Sequence, residues 1–405
     1  MNKFWRVKGG SERYVFELSR MLTDRGHEII PFAMRDDDNE PSRYSSLFVS
    51  PVDITDPYRV PFMKRAGIAA RILYSKEARN RISVLCDVTH PDVAHLHNIY
   101  HHLSPSILPA LQERGIGTVM TIHDYKLFCP ALRHYTGGKV CDECRPYHYL
   151  SCVKGSCVKN SRAASLLCAG EMFLHDAFKA YTGRIDSFIA PSQFVAHKLY
   201  GRGIDAARVA VIPNAVDQER WTPGDGGDGD YALYSGRISV EKGIMTMIRA
   251  FAGLPQVPLM IVGSGIIISH ARSLARELGA DNIEFLGFRG EDEVRRLLRG
   301  SRFVVVPSEW YENAPMSVLE AFACGKPAVA TRIGGIPEMV REGETGVLAE
   351  PCEVEELRDR ISFLWEDRDA AAAMGANARR LIETEYSLEK HCDRIIRTYE
   401  SVRRV

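Results

Sequence analysis

The chain has 405 residues, a length that suggests two or three domains. Apolar residues make up 45% and charged residues 26%, as in an ordinary globular protein, which argues against extensive disorder. Lysine plus arginine equals aspartate plus glutamate at 52 each, which excludes a strongly basic nucleic-acid-binding protein. We therefore expect no nucleic-acid partner.

The N-terminus Met1–Arg6 lacks the apolar run of a signal peptide, and no stretch reaches about 18 uninterrupted apolar residues. We therefore expect a cytoplasmic protein. Ten cysteines are many for that compartment, where disulfides are rare, so their grouping requires a separate explanation.

Short apolar runs alternate with longer amphipathic stretches along most of the chain. The runs that predict buried strands are Val93–Leu96, Thr118–Ile122, Ser187–Ala190, Val209–Ile212, Tyr231–Tyr234, Leu259–Val262, Ile283–Leu286, Phe303–Val306 and Ala328–Ala330. The stretches that predict helices are 11–25, 104–114, 192–201, 242–252, 269–278, 291–299, 315–323 and 353–366. This alternation predicts an α/β fold with doubly wound parallel sheets.

A segment rich in glycine and aspartate at 222–230 cannot build a core and is the predicted linker. It divides the chain into domains at 1–221 and 222–387, and a last helix at 388–405 is expected to return to the first domain. Gly9–Ser11 opens a helix with almost nothing before it. Either the first strand is abbreviated, or the true start of the protein lies upstream of Met1. We favour the second interpretation.

The stretch with the most chemical information runs from Phe303 to Thr331. A buried strand leads into a polar loop, and Pro315 then opens a helix whose free N–H groups can bind an anion. Glu312 lies just before this helix and Glu320 lies on it, so both carboxylates can face one ligand. From spacing alone, both could equally be solvated surface charges.

A second loop follows a strand at Tyr234 and carries Arg237 and Lys242 between glycines. Arginine offers phosphate a bidentate fork and lysine a point charge. A solvated turn explains this loop when it is taken alone. That explanation is weaker beside a second helix N-terminus in the same half of the chain.

Six short motif stretches, including the two loops above, follow one another along the chain. The set is Gly9–Glu12, Thr121–Asp124, Ala190–Ser192, Ile212–Asp217, Ser235–Gly243 and Pro307–Pro327. Together they resemble the retaining glycosyltransferases of family 4, over nearly the whole chain. The resemblance implies the GT-B fold, in which two Rossmann-like domains face a central cleft.

The resemblance also implies a role for each position. Arg237 and Lys242 would hold the donor diphosphate and neutralise the leaving group. Glu320 would bind the ribose hydroxyls and Glu312 those of the sugar, with His123 near the sugar from the first domain. The remaining donor-binding positions would be Gly10, Gly236, Gly287, Asn313, Ala314, Pro315, Met316 and Ser317.

The family retains anomeric configuration without an enzyme nucleophile and generally needs no metal or other cofactor for catalysis. The expected partners are a nucleotide sugar, with a UDP-sugar favoured, and a glycan or lipid-linked acceptor for a bacterial cell-surface polysaccharide. One alternative is a non-catalytic nucleotide-sugar-binding relative that lacks the first strand. Another is a Rossmann oxidoreductase, which Val262–Gly265 disfavours because the third glycine of the dinucleotide fingerprint is missing.

Six cysteines fall within an insertion at 129–168 that follows His123 and Asp124. The spacing of Cys141, Cys144, Cys152 and Cys157 suits a structural zinc ion, and an iron–sulfur cluster is the less favoured alternative. Reduced, partly buried thiols would also explain this group.

Two apolar-rich helices, at 60–74 and 163–181, could lie on a membrane surface. We favour packing inside the protein for both. Peripheral membrane association stays open as a hypothesis.

Overall fold

A computed structural model describes residues 1–52, 62–224 and 229–404, with the backbone alone at 62–66. Part of the predicted linker, 225–228, and the start of the predicted helix 60–74, with the side chain of Arg65, lie outside the described residues. Within the described parts, no helix is both long enough and apolar enough to cross a membrane.

The first half is built on a four-stranded parallel sheet with the order β1-β2-β5-β6. Its strands are β1 (Val93–Leu96), β2 (Gly117–Thr121), β5 (Ser187–Ala190) and β6 (Val209–Val211), and an antiparallel hairpin joins β3 (Tyr135–Thr136) to β4 (Lys139–Val140). Residues 1–3 bond to residues 32–34 on one side and to residues 95–97 on the other. That short segment therefore lies beside β1 in a strand-like position.

The second half is built on a six-stranded parallel sheet with the order β12-β11-β10-β7-β8-β9. Its strands are β7 (Ala232–Ser235), β8 (Leu259–Val262), β9 (Ile283–Gly287), β10 (Phe303–Val306), β11 (Ala328–Thr331) and β12 (Gly346–Ala349). Chain order reverses between β7 and β10, and the carboxyl ends of strands on either side of such a reversal form a ligand-binding crevice.

Helices cover both sheets. In the first half they are α1 (Gly10–Asp24), α2 (Phe62–Leu73), α3 (Lys76–Thr89), α4 (Tyr100–Leu103), α5 (Ile107–Gln112), α6 (Leu150–Lys154), α7 (Arg162–Ala177) and α8 (Gln193–Gly201). In the second half they are α9 (Ile244–Ala252), α10 (Ile268–Glu277), α11 (Glu291–Gly300), α12 (Met316–Ala323), α13 (Ile336–Met339), α14 (Val354–Glu366) and α15 (Arg368–Glu385). The predicted α/β fold class with two doubly wound parallel sheets is confirmed.

The last helix, α16 (Leu388–Val402), packs against α1 and β2 of the first half. Cys392 and Ile395 are fully buried there, in one apolar cluster with Tyr14 of α1 and Val119 of β2. The side chain of His391 bonds to Pro213 O at 2.8 Å and to the hydroxyl of Tyr14 at 3.0 Å. The chain end thus returns to the first half beside the segment that leads into the linker, where Val216 pairs with Ser387.

A buried ion pair anchors the insertion between β2 and β5. Lys126 Nζ donates to Glu171 of α7 at 2.7 Å, and the two side chains are 1% and 0% exposed. His101 Nε2 lies 3.0 Å from the same carboxylate. Burial opposes ionisation, but Lys126 and His101 outweigh it and lower the pKa of Glu171 to about 2.

We predict that Lys126→Met lowers the free energy of unfolding by about 3–5 kcal/mol, because it leaves the Glu171 carboxylate buried without its main partner. Urea titration followed by circular dichroism measures this. Lys76→Met is the matched control, since Lys76 is exposed at the start of α3, and should stay within about 0.5 kcal/mol of wild type. Equal effects of the two substitutions would contradict a stabilising role for the buried pair.

Candidate active site

A cavity of about 350 Å³ lies between the two halves, at the carboxyl ends of β7 and β10. The first half contributes the start of α1 and the end of β2. The second half contributes the loop after β7, the loop after β10 and the first turn of α12. Predicted site residues that line the cavity are Gly10, His123, Gly236, Lys242, Glu312, Asn313, Ala314, Pro315, Met316, Ser317 and Glu320.

Lys242 ends a short 3₁₀ turn that follows β7, and Gly243 comes next in a left-handed conformation with φ 68°. A Cβ atom on Gly243 would lie 1.8 Å from the carbonyl oxygen of Pro307, so only glycine fits this crossing. The close approach brings the Lys242 loop against the loop after β10. As a result, Lys242 Nζ donates to Glu312 Oε1 at 2.5 Å.

Glu312 is buried, and the same carboxylate oxygen accepts from Ser308 Oγ at 2.6 Å and from Trp310 Nε1 at 2.9 Å. Burial favours the protonated acid, but Lys242 together with these two donors outweighs it and lowers the pKa of Glu312. Glu312 is therefore a carboxylate at neutral pH. It can accept hydrogen bonds from hydroxyl groups in the cavity.

Glu320 lies in α12 and forms an ion pair with Arg13 of α1, across the cleft. Burial raises the pKa of Glu320 to about 7, Arg13 opposes the shift, and the acidic neighbours Glu17 and Glu291 reinforce it. Glu320 is therefore near the midpoint of its titration at neutral pH. A ligand in the cavity would meet this carboxyl group of the second half together with Arg13 of the first half.

His123 follows β2 and enters the cavity from the first half. Burial lowers the pKa of His123 to about 3, so the imidazole is neutral. His123 Nε2 lies 3.0 Å from Nδ1 of His97, and the ring of Tyr14 meets it edge-on with centroids 5.0 Å apart. These contacts fix the ring orientation and leave it polar but uncharged.

Two predicted site residues do not line the cavity in the described parts of the chain. The guanidinium of Arg237 pairs instead with Glu241 at 3.3 Å, and its side chain is 56% exposed. Gly287 ends β9, the edge strand farthest from β12, and two strands, β7 and β8, lie between β9 and β10. For Gly287 the physical reason is the strand order, because only β7 and β10 flank the crevice. Arg237 follows β7, but its pairing with Glu241 holds the guanidinium outside the cavity.

Several cavity residues were missing from the sequence-based set. Arg13 and Tyr14 contribute from α1, Asn214 from the loop after β6, and Trp310 from the loop after β10. Arg13 follows the two glycines of the Gly9–Glu12 stretch at the start of α1, which was the one local signal for it. Asn214 and Trp310 lie within the Ile212–Asp217 and Pro307–Pro327 stretches, but their place in the cavity depends on contacts between distant segments.

The two halves touch directly around the cavity. The carboxylate of Glu338 accepts the backbone N–H groups of Gln193 and Phe194, each at 2.7 Å, at the start of α8. Asn214 Nδ2 donates to Ala314 O at 2.9 Å, close to the first turn of α12. Asn214 therefore holds the loop that carries Glu312, and the start of α8 is bonded to α13.

Beside this cavity, the cysteines of the insertion line a second one of about 410 Å³. Cys141, Cys144, Cys152 and Cys157 are there as predicted from spacing, together with Cys129. In the described residues, the one group of His, Cys, Asp or Glu ligand atoms within 4.8 Å of one another is His101, Cys168 and Glu171. Lys126 already neutralises Glu171 in that group. Zinc binding in the insertion stays a prediction.

The fold and the cavity define a class of protein with two Rossmann-like domains facing a ligand-binding cleft, the GT-B architecture. The glycosyltransferase family 4 model matches residues 8–220, about half of the chain, and the model for group 1 glycosyl transferases matches residues 216–381. The chain belongs to this glycosyltransferase family.

Curated relatives include the lipopolysaccharide 1,2-N-acetylglucosaminetransferase of Salmonella typhimurium, 30% identical over 55% of this chain and 64% of the relative. A D-inositol 3-phosphate glycosyltransferase of Actinosynnema mirum is 33% identical over 48% of this chain and 52% of the relative. These matches span between about half and two thirds of the length of the relatives.

Two solved structures with the same fold each superpose on 99% of this chain. A sucrose-phosphate synthase from Thermosynechococcus elongatus superposes with a TM-score of 0.72 at 21% identity over 95% of its own chain. The Anabaena protein HepE, crystallised in complex with UDP, superposes with a TM-score of 0.69 at 18% identity over 98% of its chain.

The raised pKa of Glu320 predicts a pH-dependent stability. The folded protein holds this proton between pH 4.5, the ordinary value, and about 7, whereas the unfolded chain has lost it. The resulting stabilisation is present below pH 4.5 and is lost as the pH rises through about 7. Glu320→Gln cannot titrate, so its stability relative to wild type should increase by about 1–3 kcal/mol from about pH 5 to about pH 8.

Urea titrations at the two pH values measure this difference. Glu355→Gln is the control, because the Glu355 side chain is 79% exposed and its loss should leave the pH dependence unchanged. An unaltered pH dependence in Glu320→Gln would show that this carboxyl group titrates normally.

Proposed function

We propose that this protein transfers a glycosyl group from a nucleotide-sugar donor to an acceptor in the cleft between its two halves. The observation that carries the proposal is the arrangement of Lys242, Glu312 and Glu320 around one cavity at the switch point of the second sheet. The named activities of the curated relatives, all glycosyltransferases, support it.

The donor we propose is a UDP-sugar. Structures of the same fold have been solved with UDP and with UDP-glucose, which supports a nucleoside diphosphate in the cleft. The diphosphate would lie by Lys242 and the N–H groups at the start of α12, where both the ammonium and the helix terminus favour an anion. The ribose hydroxyls would bond to Glu320 and compete there with Arg13.

The reaction we propose retains the anomeric configuration. Lys242 would neutralise the charge that develops on the departing diphosphate, which is worth more in a closed cavity than in water. Glu312 is ionised and would orient the sugar through its hydroxyl groups. The neutral ring of His123 would contact the sugar from the opposite side, and the leaving phosphate oxygen would take the proton of the acceptor hydroxyl. No side chain serves as a covalent nucleophile in this scheme, and no metal is required.

A panel of UDP-, GDP- and dTDP-sugars tests the proposal through release of nucleoside diphosphate and ligand-induced thermal shift. We expect a response to a UDP-sugar. At about pH 8, where the Glu320 carboxyl group is ionised, Glu320→Gln should weaken donor binding by about 1.5–3 kcal/mol, because a hydrogen bond to a charged group is lost. Lys242→Ala should lower kcat more than donor affinity, because the charge it meets develops in the transition state.

Lys76→Ala, far from the cavity on α3, is the control for both variants. If no donor leads to release of nucleoside diphosphate but one donor gives a thermal shift, the non-catalytic nucleotide-sugar-binding alternative is favoured. If no donor gives a thermal shift either, the proposal is overturned. Equal losses of kcat and donor affinity in Lys242→Ala would contradict the proposal that the Lys242 ammonium stabilises the transition state.

The acceptor we propose is a glycan or a lipid-linked sugar of a bacterial cell-surface polysaccharide. Helix α7 supports an acceptor that is linked to a lipid. One face of this helix is buried, and the other face is exposed and apolar between Arg162 and Lys179. Its exposed large side chains, with Phe178 at the C-cap, are Leu166, Leu167, Phe173, Leu174 and Phe178. Such a face, bordered by cations, fits the surface of an anionic membrane.

Peripheral membrane binding by α7 is tested by co-sedimentation with vesicles of phosphatidylglycerol. Leu166→Glu and Phe173→Glu should each reduce the bound fraction at least several-fold, because each substitution places a carboxylate against the lipid. Val88→Glu, on α3, is the matched control, since Val88 is also an exposed apolar residue, 70% exposed, outside this face. Equal sedimentation of all three variants would rule out α7 as the membrane-binding surface.

A further inference from the structure

Before α7 begins, the insertion at 129–168 has little regular structure to hold it together. It contains the two-residue strands β3 and β4 and the five-residue helix α6. Its own apolar cluster consists of Tyr149, Ala169 and Met172, with Cys144 and Val153 at the edge. Small folds with so little core are commonly stabilised by a cross-link or a metal ion.

The backbone of the insertion is also costly to fold. Several residues other than glycine adopt left-handed conformations, which side chains disfavour. They are Leu132, His134, Tyr147, Ser156, Lys159 and Asn160. Because each of these residues must be held in place by its surroundings, the shortage of apolar packing becomes more significant.

Four thiols lie together in the cavity of the insertion. Cys129, Cys144, Cys152 and Cys157 all line it, and a negative charge on one of these sulfurs raises the pKa of the neighbouring thiols. Cys141 lies beside Cys144 and Tyr311 at the edge of this group. The ten cysteines are all free thiols, so no disulfide holds the insertion.

The walls of this cavity are suited to thiolates. The backbone N–H groups of Ala131, Arg133 and His134 face the sulfur of Cys129, and that of Cys152 faces the sulfur of Cys144. His134 also lines the cavity and is 3% exposed. Its Nδ1 lies 2.8 Å from Cys141 O, whereas its buried Nε2 has no hydrogen-bond partner. A carbonyl bond at one ring nitrogen is how proteins orient imidazoles beside metals.

We propose that Cys129, Cys144, Cys152 and Cys157 bind one structural zinc ion that holds the insertion against the active site. Binding would release four thiol protons and form four zinc–sulfur bonds at about 2.3 Å in a tetrahedron. Because no three of these sulfurs lie within 4.8 Å of one another in the described residues, the side chains must turn inward around the ion. The set differs from the one predicted by spacing, with Cys129 in place of Cys141.

The test is the metal content of the full chain, purified through an affinity tag that does not bind metal and measured by inductively coupled plasma mass spectrometry. We expect about one zinc per chain. Serine substitution of Cys129, Cys144, Cys152 or Cys157 should lower it at least several-fold. Cys141→Ser and Cys352→Ser are the matched controls and should retain zinc, Cys352 being an exposed cysteine of the second half.

Cobalt substitution keeps the test independent of how well each variant folds. Apo wild-type protein titrated with Co²⁺ should develop thiolate-to-cobalt charge-transfer absorption and the visible bands of a tetrahedral ion. Wild-type protein that binds no zinc and develops no cobalt spectrum would overturn the proposal, as would a Cys152–Cys157 disulfide or bound iron. Zinc that persists in Cys129→Ser but is lost in Cys141→Ser or His134→Ala would overturn this ligand set.

Discussion

The reversal of strand order between β7 and β10 is the constraint on which the site depends. In a parallel sheet, each crossover helix packs to one side, and where the direction changes no helix covers the strand ends. The loops after these two strands are therefore free to form a cavity. Gly243 lets them cross at backbone distance, which brings Lys242 to Glu312. The shape of the proposed ligand site depends on that crossing.

Two buried carboxylates in one cavity would normally repel each other and take up protons. Here each has its own cation, and the two outcomes differ. Lys242 with two further donors keeps Glu312 ionised, whereas Arg13 compensates only part of the burial of Glu320. In the proposed donor complex, the diphosphate would compete with Glu312 for Lys242, and the ribose hydroxyls would compete with Arg13 for Glu320. The fold therefore offsets the burial of Glu312 but only part of the burial of Glu320 before any ligand binds.

The amino-acid sequence predicts much of this architecture because the strands are short apolar runs and the motifs follow strand ends. It missed β12 at Gly346–Ala349 and the helices α3 and α15, whose patterns are less distinct from their surroundings. Arg13 and Glu320 lie 307 residues apart, and no local pattern connects them. Spacing grouped Cys141, Cys144, Cys152 and Cys157, which all line one cavity. It did not indicate Cys129, which reaches the same cavity through the turn that follows Tyr125.

The insertion and the active site share one stretch of backbone, because β2 leads to His123 and then directly to Tyr125 and Lys126. Tyr125 lines the cleft, while Lys126 is fixed by its buried bond to Glu171. Tyr311, beside Glu312, donates to Asp142 of the insertion at 2.6 Å. A displacement of the insertion would therefore reach both His123 and the loop that carries Glu312. The insertion is thus part of the cleft wall, and whatever stabilises it also maintains the geometry of the proposed donor site.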